Sequence, residues 1–121
     1  MHQVLLSLGA NYDAERNLSE VLVHLGQIIV FTRVTPAIWT EPFNSNSKRM
    51  YLNQLVKGDT SLTITELESA IKKLETAAGR TSEMRSQGLV PLDIDILEFD
   101  SERHHLHDWE RPYVQQLLPC L

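Results

Sequence analysis

The chain has 121 residues, of which 42% are hydrophobic and 22% charged, with a formal net charge of −5. That composition is ordinary for one globular domain and excludes disordered and fibrous classes. The acidic balance argues against a nucleic-acid surface, and no apolar run approaches the ~20 residues that a membrane-spanning helix needs.

Residues 3–9 predict a short buried strand ending at Gly9, with Asn11 and Asp13 in the turn after it. Leu18, Val21, Leu22 and Leu25 repeat at helical spacing and predict a helix over 14–27, with Gly26 at its end. The β-branched and aromatic stretch 28–39 predicts one second strand, with Pro36 marking an edge, bulge or break. Residues 40–50 are rich in Asn, Ser and Pro and predict a loop, followed by a third strand over 51–58.

Thr65 and Glu68 have capping-box spacing, and the apolar repeat through Leu67, Ile71 and Leu74 predicts a second helix over 66–78, stopped by Gly79. Residues 80–91 predict a long polar loop of the kind used as functional lids. The run LDIDILEF predicts a strand over 92–99, whereas the tail 100–121 yields no assignment. The order β-α-β-β-α-β predicts an α+β, ferredoxin-like domain over 1–121. Its antiparallel sheet carries two helices on one face and leaves the other face free for ligands and loops.

Four features bear on chemistry. Asp93 and Asp95 stand two apart on a strand and so share a face, while Leu92, Ile94 and Ile96 point to the core. Two carboxylates that close repel, and a hard divalent cation relieves them; the alternative is a strand with one polar, solvated face. Arg80, beyond the helix carrying Glu75, and Arg85 could clamp a phosphate or sit in a solvated loop. Thr40, Pro42, Phe43, Tyr51 and Asn53 suit the edge and face of a heterocycle, or else core packing. The tail histidines 104, 105 and 107 lack the fixed spacing of a metal site, and a histidine near a phosphate is the more modest reading. The lone Cys120 forms no internal disulfide and no zinc motif. With no basic, then apolar leader at its start, the chain is expected in the cytoplasm, as a monomer or weak homodimer.

Taken in order, LGAN at 8–11, T-x-P at 40–42, YLN at 51–53, Glu75 to Arg80, LDIDIL at 92–97 and the run from His105 through Arg111 to Tyr113 resemble the 6-hydroxymethyl-7,8-dihydropterin pyrophosphokinases. The resemblance implies transfer of diphosphate from ATP to the pterin's hydroxymethyl group, with two Mg²⁺ ions on Asp93 and Asp95. It implies a pterin site at Thr40, Pro42, Phe43, Asn53 and Tyr113. An ATP site is implied at Glu75, Arg80, Arg85, His105 and Arg111, with Arg80 also catalytic. The family's usual loop Trp and Arg are here Gln87 and Val90, another loop Arg aligns with Ser82, and the chain stops soon after Tyr113. These departures suggest a slow enzyme or a non-catalytic binding relative, with a plain ferredoxin-like interaction domain as the reading that needs no small ligand.

Overall fold

The computed structural model describes residues 1–42 and 48–121. Strand β1 (His2–Ala10) is central and has seven consecutive buried residues. It lies antiparallel between β4 (Tyr51–Thr60) and β5 (Asp93–Phe99). Strand β2 (Val30–Val34) flanks β4, and β6 (Glu102–Arg103) flanks β5. The sheet order β2-β4-β1-β5, with every pair antiparallel, is the predicted ferredoxin-like plan.

Helices α1 (Ala14–Leu25) and α2 (Ile64–Ala77) lie on one face. Leu18, Val21 and Leu25 of α1 and Leu67 and Ile71 of α2 join Leu6, Leu8, Ile94 and Ile96 in one buried cluster. Helix α2 ends where predicted. Gly79 takes φ +99, a left-handed conformation that glycine adopts without a Cβ penalty.

Several expectations shift. The predicted second strand is two, β2 and β3 (Ile38–Thr40), because the chain turns at Thr35–Pro36. Pro36 has no N–H for the ladder, and Thr35 is pinned by Leu55 N–H to its Oγ1 and by Gln54 Nε2 to its carbonyl. The capping box lies two residues earlier than expected, at Thr63 and Glu66, each side chain accepting from the other's backbone N–H. Both pairs have the required spacing; strand β4 running on to Thr60 leaves Thr63 at the entry, where Ile64 packs on the core. Thr63→Ala is expected to remove ~1 kcal/mol of stability, read as a lower urea midpoint with an unchanged slope.

The loop 80–91 contains a five-residue helix, α3 (Ser82–Ser86), capped by Thr81. The tail, unassigned from sequence, forms β6, a 3-10 turn (Asp108–Glu110), helix α4 (Pro112–Leu117) and a last 3-10 turn (Leu118–Cys120). Trp109, Val114 and Leu117 bury Leu5, Leu55 and Leu97, so the second sheet face is half covered rather than free. Those leucines would otherwise leave an apolar strip in water. No helix among the described residues is long and apolar enough to cross a membrane.

Candidate active site

The uncovered half of that face is a cavity of about 130 Å³. Its floor comes from alternate residues of three strands in register. Ser7 faces Asp95, while Gly9 is flanked by Asp93 on one side and Asn53 on the other. A Cβ at Gly9 would come within 3.1 Å of Asn53 Oδ1, so the glycine makes room for that amide. Thr40, Glu41 and Tyr51 form one wall, and Asp108, Arg111 and Tyr113 from the tail form the other.

Asp93 and Asp95 do share a face and point into this cavity. Burial, and next the Asp93 carboxylate, push Asp95 up to about 7. A neutral or repelled carboxylate in a wet cavity is a site that a cation would convert to full ionisation. Among the described residues no group of three or more His, Cys, Asp or Glu is placed to hold a metal. Two carboxylates therefore fit a hard cation that takes its remaining oxygens from water and a substrate.

A cation from another part of the chain meets one of these aspartates. Arg80 Nη1 donates to Glu75 Oε2 at 2.7 Å, to Asp93 Oδ1 at 3.0 Å and to Leu92 O at 3.3 Å. The same Glu75 oxygen accepts the Ile94 N–H at 2.9 Å. Burial raises the Glu75 pKa against the pull of that N–H and of Arg80. Arg80 is thus already engaged at the rim, tying α2 to β5.

The Asn53 amide donates to Thr40 Oγ1 across the β3–β4 pair, uniting two predicted residues. Tyr113 shares a 2.8 Å hydrogen bond with Ser7, and burial raises its phenol above the ordinary range. Pro42 is half-buried and Arg85 is exposed on α3; neither lines this cavity. Phe43 lies outside the described residues.

Glu75 and His105 line a second cavity, of about 460 Å³, between α2 and β5. Ile64, Ile71, Ile94 and Ile96 give it an apolar lining, and Lys72 adds a cation. Nε2 of His105 lies 4.0 Å from Asp95 Oδ1, so the two cavities adjoin through His105.

Sequence reasoning gave no site role to Ser7, Glu41, Asp108 or Asn11. Ser7 and Asp108 line the first cavity, and Asn11 straps the loop to β1. The Asn11 side chain donates to Gly88 O at 2.9 Å and accepts from Val90 N–H at 2.6 Å. For Ser7 the signal was a lone hydroxyl inside the apolar run VLLSLGA.

Residues 5–120 match the family described as 7,8-dihydro-6-hydroxymethylpterin-pyrophosphokinase (HPPK). A "Folate synthesis bifunctional protein" of Arabidopsis thaliana is 31% identical over 122 residues, covering 93% of this chain and 25% of that protein. The "Folate synthesis bifunctional protein, mitochondrial" of Pisum sativum is 33% identical, covering 93% and 24%. The "2-amino-4-hydroxy-6-hydroxymethyldihydropteridine pyrophosphokinase" of Bacillus subtilis is 33% identical over 100 residues, covering 80% of this chain and 59% of that one. The chain therefore spans about a quarter of the plant relatives and under two thirds of the bacterial one. With the match running through every strand and both walls of the cavity, the chain belongs to the 7,8-dihydro-6-hydroxymethylpterin-pyrophosphokinase family.

Proposed function

We propose that this chain transfers diphosphate from ATP to the 6-hydroxymethyl oxygen of 6-hydroxymethyl-7,8-dihydropterin. The hydroxymethyl oxygen bonds to the β-phosphorus, the bond to the α-phosphate's bridging oxygen breaks, AMP leaves and the hydroxyl proton is lost. The observation that carries this reading is the convergence of Asp93 and Asp95 with Asn53, Thr40 and Tyr113 on one small cavity. It supports a reading with metal and phosphates at one edge of the cavity and a heterocycle in the polar slot opposite.

In this reading Asn53, Thr40 and Tyr113 hold the pterin, with Pro42 and Phe43 beside it. The Asn53 amide keeps an acceptor and a second N–H for the ring's amide edge, and the Tyr113 ring offers a stacking face. The nucleoside occupies the second cavity, whose volume and apolar lining suit a purine. The polyphosphate then runs past Glu75 and His105 toward Arg111, with Arg80 and Arg85 at the loop side. Asp93 and Asp95 would hold two Mg²⁺ ions, which when bound supply charge neutralisation and a more acidic hydroxyl. Arg80, fixed by Glu75 and Asp93, offsets part of the carboxylate charge at the rim where the substrate's negative charge arrives.

ATP, Mg²⁺ and the reduced pterin together are expected to yield AMP and the pterin diphosphate, separated by anion-exchange chromatography. Absence of AMP above the enzyme-free background at high protein concentration overturns the reading.

A further inference from the structure

Asp108 has no role so far, yet it lies in the wall of the Asp93 and Asp95 cavity with its side chain only 16% exposed. A third carboxylate beside two others costs free energy unless basic side chains meet it. They do. Arg111 Nε forms an ion pair with Asp108 Oδ1 at 3.0 Å, and Asp108 Oδ2 lies 3.9 Å from His105 Nδ1. The far ring nitrogen of His105 is the one that reaches toward Asp95.

The backbone fixes this arrangement. The Asp108 N–H donates to His105 O at 2.8 Å, and the Arg111 N–H donates to Asp108 O at 3.1 Å. A guanidinium held at Nε by a carboxylate turns the rest of its donor fork away from that carboxylate. Arg111 lines the same cavity as Asp93 and Asp95, so its guanidinium is held at the wall of that cavity.

We infer that Asp108 is a positioning residue, holding Arg111 and His105 in line for the polyphosphate of the nucleotide; this rests on the functional reading above. A negative charge in a site for a polyanion opposes binding by itself. Its contribution comes through the guanidinium and imidazole it orients, which would otherwise spread over many rotamers.

Calorimetric titration with magnesium and a non-hydrolysable ATP analogue separates this role from a merely structural ion pair. Asp108→Ala is expected to weaken nucleotide binding about tenfold while pterin affinity stays within about twofold. Asp108→Asn keeps an oxygen facing Arg111 Nε and is expected to lose only about threefold. The double variant Asp108→Ala/Arg111→Ala is expected to lose less than the sum of the two single losses. Unchanged nucleotide binding in Asp108→Ala, additive losses, or an equal loss of pterin binding overturns the inference. A wild-type chain that binds no nucleotide overturns the functional reading and this inference with it.

Discussion

Asp95→Asn is expected to abolish diphosphate transfer, by about a thousandfold or more, and at the same time to make the ligand-free protein more stable above neutral pH. The two effects have one cause. Asp95 titrates at about 7 in the folded chain against an ordinary value of 3.8, chiefly because it is buried and next because Asp93 stands beside it. The native state therefore holds the proton more tightly than the unfolded chain. Ionising Asp95 removes stability as pH climbs from about 4, and the loss is complete above about 7. At pH 8 that loss amounts to ~2–4 kcal/mol, which an uncharged amide avoids. The melting temperature of Asp95→Asn should exceed that of the wild type by several degrees at pH 8 and match it near pH 4. Magnesium with ATP should reverse the order at pH 8, stabilising the wild type alone. A variant that is no more stable at pH 8, or that still releases AMP, contradicts this account.

Trp109→Ala is expected to cost ~3–5 kcal/mol and to disable the site without touching it. Trp109 is buried under the sheet among Leu5, Leu55 and Leu97. Its indole N–H donates to both Leu97 O and His104 O at 3.1 Å, and the Arg103 guanidinium stacks 4.0 Å from the ring centroid. The 3-10 turn it anchors carries Asp108, and Arg111 and Tyr113 follow directly. Loss of the ring frees that wall of the cavity from the sheet. Urea unfolding measures the stability loss, and amide hydrogen exchange should show residues 104–117 opening before the sheet does. Trp109→Phe keeps most of the packing but leaves two carbonyls short of a donor, for an intermediate loss of ~1–2 kcal/mol. Equal protection of tail and sheet in Trp109→Ala would show that the turn is held by something else.

Much of the helix-face architecture was legible because its signals are local. Leu18, Val21 and Leu25 repeat at helical spacing, and Gly79 stops α2 where a left-handed residue is needed. The aspartate pair was legible because strand geometry alone puts Asp93 and Asp95 on one side. What the sequence hid depends on distant pairing. The cover over Leu5, Leu55 and Leu97 could have been suspected from the unbroken apolar runs LL at 5–6 and IL at 96–97, since a strand buried on both faces does not alternate. Nothing local says which segment supplies that cover. The choice of Thr63 over Thr65 as cap turned on where β4 ends, and pairing with β1 as far as His2 decides that. Arg80 meeting Asp93 required α2 and β5 to pack, which no spacing along the chain reveals.

The hydroxyl pair of Ser7 and Tyr113 joins residues 106 positions apart. A nascent chain leaving the ribosome has its first strand early, but the wall opposite Asp95 is missing until residue 113 has emerged. Under the proposed function, pterin capture therefore waits until residue 113 has emerged, and a product cut short before it lacks that wall of the site.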